Sequence, residues 1–346
     1  MNLEYTIVII VLWLFYLFKS KISTKDRLVV SSILCLIFIA QAGFRDYIHT
    51  SNDTWNYWRW FESLKDESLS NIISKFSLTY DSYENRDPGF EVFIKLCQLV
   101  GCNFRKLLIL VATIISVPLC RILYKYVPTV NGLFMSAIIY QALFAGFFNT
   151  GMRQTIALGL CLFSMMYYER QKPFPHYLLI LIAYTIHASA ILFAPLYLIR
   201  KLKAKKVLLG AFVLTPLTMI FATNIIAFFG SGTIYESYAV NSTDNLGTPI
   251  FTAMIAMITV ATAIYYKRII VSFKESMFLI QAIAIALMLT PASWVDSNFL
   301  RITYYYLIFL LPLFPIMIET MASNNPKMKM MLYGVSSFVL LFMMYR

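Results

Sequence analysis

Six side chains able to hold charge or move a proton, and one amide, stand where long apolar stretches begin, end or turn. Arg45 closes one stretch, with Asp53 eight residues on; Arg153 and Gln154 open another; Asp296 and Arg301 flank the start of a third; His187 lies between Ile186 and Ala188 in the middle of segment 174–200. An arginine fork grips phosphate or diphosphate oxygens in pairs and keeps its charge in apolar surroundings. An imidazole titrates near neutrality and can take a proton from an attacking hydroxyl; a carboxylate such as Asp53 is the alternative base. Together these groups could bind an anion and move a proton beside it. Three arginines at one level would repel each other unless an anion sits among them.

Each residue also has a plainer reading. Arg153 and Arg301 can reach lipid headgroups. His187 can be a hydrogen-bonded core histidine, and Asp53 can cap the helix that follows it. Asp87-Pro88-Gly89 reads first as a turn. His49 and His176 read as surface or interfacial residues.

Other chemistries lack their motifs. The chain has no HExxH, no GxxxxGK[ST] and no GxSxG, and its three histidines come without a cysteine cluster. No metal site or cofactor is expected. His49 and Asp53 resemble an acyltransferase pair with one residue too few between them. Cys35, Cys97, Cys102, Cys120 and Cys161 form no CxxC pair and read as small core residues. The net charge of +12 is scattered among apolar spans, which argues against nucleic acid and for the positive-inside rule.

The elements that must position these residues are membrane helices. Of 346 residues, 60% are apolar and only 13% charged, against about half and a quarter in a soluble domain. Mean hydropathy is +0.70. The reading is an all-α polytopic membrane protein, one integral membrane domain over 1–346. About ten full spans are expected, at 3–18, 28–44, 106–124, 132–148, 154–168, 207–229, 249–266, 276–292, 302–318 and 330–345. The first run has no cationic start or small-residue cleavage site, so it reads as a retained anchor. Segment 174–200 is too short for two crossings and is expected to form a short helical hairpin with His187 at its tip. With that hairpin, and with 89–104 lying in the interface, the basic loops 19–27, 121–125, 170–172, 200–206, 267–274 and 327–329 share one side, taken as cytoplasmic. Arg105 and Lys106 go against this count. The stretch 45–104 is then an outer loop of interfacial helices, in which 45–89 alone holds eight of the seventeen acids.

At these residues the chain resembles the EpsG-like, Wzy-type polysaccharide polymerases of bacterial envelopes. The matching pieces are Gly43-Phe44-Arg45, Asn52-Asp53-Thr54 with Tyr57, Asp87-Pro88-Gly89-Phe90-Glu91, Gly151-Met152-Arg153-Gln154 with Ala157, His187-Ala188-Ser189-Ala190, and Arg301 with Tyr304 to Tyr306. Ser51-Asn52 departs from the pattern, where the family often has glycine. The resemblance implies a glycosyltransferase of the bacterial inner membrane that works at the periplasmic or outer face without metal or nucleotide. It would move a growing glycan from undecaprenyl diphosphate onto a sugar hydroxyl of the next lipid-linked oligosaccharide. Its partners would be that lipid-linked substrate, the bilayer and a chain-length regulator protein. The role assignment is then His187 or Asp53 as base; Arg153, Arg301, Arg45 and Gln154 on the diphosphate; and Tyr57, Trp55, Glu91 and Asp296 toward the sugar acceptor. The alternatives are a membrane O-acyltransferase of envelope polysaccharide and a flippase for the lipid-linked unit.

Overall fold

The computed structural model describes residues 3–18, 23–48, 53–78, 87–230 and 247–345. His49, Ser51, Asn52, Asp81 and Glu84 lie outside them. Every regular element among the described residues is helical. The helices are α1 (Leu3–Leu17), α2 (Thr24–Gly43), α3 (Asp53–Ser63), α4 (Leu69–Ser74), α5 (Pro88–Leu99), α6 (Phe104–Tyr126), α7 (Val130–Leu143), α8 (Ala145–Thr150), α9 (Met152–Glu169), α10 (Pro173–Ile186), α11 (Pro195–Ile199), α12 (Ala204–Gly230), α13 (Gly247–Ser272), α14 (Met277–Leu289), α15 (Leu300–Leu307), α16 (Leu310–Met321) and α17 (Pro326–Tyr345).

Six of the described helices are long and apolar enough to cross a membrane: α2, α6, α12, α13, α14 with its flanking 3₁₀ turns, and α17. A seventh span results if α15 and α16, bent by 58°, are counted as one. This is a membrane protein in which, among the described residues, six or seven of the ten expected spans qualify by length and apolarity, and three stretches do not. The helix at 3–18 has only 15 residues. The stretch 132–148 breaks at Phe144 into α7 and α8. The stretch 154–168 is one helix, α9, but it starts on Arg153 and Gln154 and ends on Glu169. The physical reason is burial. Most of α7 and α9 is enclosed by other helices, so neither length nor uniform apolarity is imposed on them by lipid.

The central stack is α2 on α6, α6 on α9 and α9 on α10. Pro118 in α6 has no N–H for the carbonyl of Ile114. Gly159 of α9 is pressed against that carbonyl: a Cβ there would lie 2.7 Å from the Ile114 oxygen and 2.9 Å from its carbon. This close approach fixes the height of α9, and so of Arg153 at its start.

Segment 174–200 forms the expected hairpin. Helix α10 stops at His187, whose extended backbone (φ −157°) breaks the helix. The chain returns through a 3₁₀ turn, Ala188–Phe193, and α11. Fourteen residues rise about 21 Å, short of a ~30 Å hydrocarbon core.

The bundle has two polar ends. At one, Glu169 accepts from Arg121 at 2.5 Å and pairs with Lys125 at 3.3 Å, while Lys125 also reaches Glu275 at 3.0 Å. Arg27 donates to the carbonyls of Tyr124 and Val127. Gln281 donates to the carbonyls of Ile199 and Leu202. Glu319 accepts from Thr129 and Tyr333 and pairs with Lys329. The described parts of the basic loops therefore meet at the Glu169 end. At the opposite end Arg105 donates to the carbonyls of Gly43 (2.9 Å) and Arg45 (2.7 Å). It closes the C-terminus of α2, a local task that explains a basic residue there.

Candidate functional site

The Arg153 end carries the helices of the 45–104 segment, and these are short, as expected. Lys95 of α5 donates to the carbonyls of Leu64 and Lys65 at 3.0 Å each, and Gln98 to that of Phe61 at 2.7 Å. These bonds satisfy the open carbonyls at the end of α3 and lock α5 across it. Phe61, Phe90, Ile94 and Phe104 form a small core with Leu107, Met152, Ile156 and Ile186, which ties the pair to α6, α9 and α10.

That seat places Asp87. Pro88 opens α5, and Asp87 just before it takes a left-handed backbone (φ 57°), a conformation Asp tolerates better than most residues. Gly89 then packs directly on α10: a Cβ there would lie 2.1 Å from Thr185 Oγ1 and 2.8 Å from the Thr185 carbonyl carbon. The Asp87 side chain is fully enclosed, at 0% exposure.

One carboxylate oxygen joins the two principal candidates. Asp87 Oδ2 accepts a hydrogen bond from Arg153 Nη1, and the same oxygen lies 3.5 Å from His187 Nδ1. Arg153 Nε donates to the Tyr57 hydroxyl at 3.3 Å. Its guanidinium lies 5.8 Å from the Tyr57 ring centroid and 5.6 Å from that of Trp60. The cation is thus held by a carboxylate and two aromatic rings. Trp60 Nε1 in turn donates to Glu91 at 3.1 Å.

Burial pushes the Glu91 carboxyl above its ordinary range, and the Trp60 hydrogen bond opposes this in part. A raised carboxyl favours the neutral form in the folded protein. Stability is therefore lost as pH rises through the folded-state value and regained on acidification. Glu91→Gln keeps an acceptor for Trp60 and removes the charge. It should raise the melting temperature at pH 8 by a few degrees and flatten the gain seen between pH 8 and pH 5. A lowered melting temperature at pH 8 would show that the ionised form is the one the fold needs.

Arg45 and Arg301 lie around the same start of α9. Arg45 donates to the Ala42 carbonyl and, at 3.4 Å, to the Thr54 hydroxyl, which itself donates to the Asn149 carbonyl at 3.1 Å. Its Nη2 is buried with no partner among the described residues. Burial, helped by repulsion from Arg105, pushes its guanidinium down to about 10, so it stays charged at neutral pH. Gln154 Nε2 donates to the carbonyl of Arg301. The exposed Arg301 guanidinium sits 5.7 Å from the Phe147 ring centroid.

The structure therefore brings Arg153 and His187 into one cluster with Tyr57, and Glu91 joins it through Trp60. Gln154, Arg301 and Arg45 stand around it. The other three residues expected at the site are placed as follows. Asp53 is exposed at the first position of α3, while its neighbour Thr54 turns inward. Trp55 packs on Trp58, with centroids 4.5 Å apart. Asp296 caps the turn Ser297–Phe299 by accepting from the Asn298 N–H at 2.7 Å.

Two readings need correction. Asp87 forms the turn its sequence suggests, but it is also the anion among the arginines. The signal was Gly89, since a glycine inside a helix is unfavourable unless another chain passes close by. His176 is no surface residue: it is fully buried, with Nδ1 3.1 Å from the Ser164 carbonyl oxygen. All five cysteines are free. Among the described residues no three His, Cys, Asp or Glu side chains converge as metal ligands.

No curated protein and no solved structure gives a significant match. The model of the EpsG family matches residues 28–346, nearly the whole chain and all the residues of the site, and the protein belongs to the EpsG family.

Proposed function

We propose that the Asp87–Arg153–His187 cluster is the active site of a polysaccharide polymerase that extends lipid-linked glycans. Family membership places the protein in polysaccharide biosynthesis. The observation that carries the finer reading is the single carboxylate oxygen shared by a buried guanidinium and an imidazole.

In this mechanism Asp87 faces Nδ1 of His187 and orients the ring, leaving Nε2 to act on the acceptor. The acceptor sugar hydroxyl attacks C1 of the growing glycan. The C1–oxygen bond to undecaprenyl diphosphate breaks, the new glycosidic bond forms, and the hydroxyl proton passes to Nε2. The diphosphate leaves with the bond's electrons. Arg45, with a free buried N–H, and the exposed Arg301 are the cations available to hold it. Arg153, already paired with Asp87, tightens on the diphosphate as negative charge develops. Sugar faces would meet the aromatic residues of α3. The site would open away from the cytosol, because the basic loops lie at the other end.

The test uses the purified protein in lipid nanodiscs with undecaprenyl-diphosphate-linked repeat units. Wild type should produce a ladder of chain lengths. His187→Gln should lose about 10²–10⁴-fold in rate, the usual worth of a general base, and leave single units. A normal ladder from His187→Gln would remove the histidine from the chemistry. A cell line carrying it that makes full-length polymer lacking acyl groups would point to acyl transfer instead.

A further inference from the structure

At the Glu169 end, away from the proposed active site, a cavity of about 500 Å³ lies among the ends of α13, α16 and α17. Its lining includes Lys267, Arg268 and Lys329, with the hydroxyls of Ser272, Thr320 and Ser323. Glu319, the one carboxylate in the lining, is already paired with Lys329 at 2.5 Å and accepts from Thr129 and Tyr333. Lys267 and Arg268 have no carboxylate within 4.0 Å among the described residues. The cavity thus carries an excess of two positive charges that nothing in the described chain neutralises.

The walls say what kind of anion fits. Val271 lines the cavity and is 75% exposed. It continues a stripe of exposed apolar residues along α13, with Met257 and Ile264 at seven-residue spacing. Helix α16 packs against both α13 and α17. The cations and hydroxyls of the cavity thus lie at the end of an apolar outer face of α13 that suits acyl chains. We infer that this is a binding site for one anionic phospholipid, its phosphodiester held by Lys267 and Arg268 and its chains lying along the outer face of α13. A basic pocket between membrane helices on the side of the basic loops is where anionic headgroups concentrate. Arginine beside lysine gives the phosphate a fork as well as a point charge.

Native mass spectrometry of the full-length protein, titrated with phosphatidylglycerol or phosphatidylcholine, tests this. Wild type should retain one phosphatidylglycerol at least tenfold more tightly than phosphatidylcholine, and millimolar inorganic phosphate should not displace it. Lys267→Ala/Arg268→Ala should lower that affinity about 30-fold, as expected when two basic side chains leave an anionic interface. Both positions are exposed, so the fold should survive, and the wild-type selectivity stands independently of the variant. Equal retention of the two lipids, or unchanged retention in the variant, overturns the site. Displacement by inorganic phosphate would overturn the lipid assignment in favour of a soluble phosphate compound.

Discussion

Asp87→Ala should abolish polymer formation and cost about 3–5 kcal/mol in stability, the usual penalty for removing one partner of a buried ion pair. The carboxylate is fully enclosed and the Arg153 side chain is only 10% exposed, so solvent cannot replace what is lost. Arg153 would be left as an uncompensated charge, and His187 would lose the group that faces its Nδ1. Thermal unfolding in nanodiscs should show a much lower midpoint for Asp87→Ala. Asp87→Ala/Arg153→Met should recover part of the stability and none of the activity, because the orphaned charge is gone but the site is not restored. A melting temperature like that of wild type for Asp87→Ala would mean that the pair does not form in the bilayer.

Gly89→Ala, a single added methyl group, should reduce activity at least about 100-fold through displacement alone. Its Cβ would overlap both the side chain and the backbone of Thr185. Helix α5 must then back away from α10, which separates Asp87 from His187, and overpacking of this kind costs about 1–3 kcal/mol. Adding Thr185→Ala removes the hydroxyl but leaves the carbonyl carbon, which would still be 2.8 Å away. The second change should therefore rescue the protein only in part. Complete rescue of the ladder would show that the contact is a side-chain clash and that the backbone is free to adjust.

The sequence makes some of this arrangement legible and hides the rest for definite reasons. The His187 hairpin follows from arithmetic: 27 residues between two basic loops cannot cross twice. The gathering of Arg45, Arg153 and Arg301 at one end follows from alternating spans and the positions of the basic loops. The full-span count does not follow, because α7 and α9 are shielded by other helices and need not satisfy the lipid. Asp87 was hidden because its partners are remote, 66 residues away for Arg153, and its own neighbours spell a turn. Asp53 drew attention as an acid in a matching motif. The direction in which α3 faces depends on its packing against Phe90 and Phe104, which only the folded chain reveals. His176, near prolines and a basic loop, looked interfacial, yet α9 offers it a carbonyl that local sequence does not announce.

The small core under α3 and α5 has a consequence for biogenesis. Asp87 precedes Arg153 and His187 in the chain, so the three meet only when the later α9 and α10 dock their Met152 and Ile186 ends on the core of α3 and α5. On the proposed reading, a chain that ends before α9 and α10 holds the acid without either of its partners.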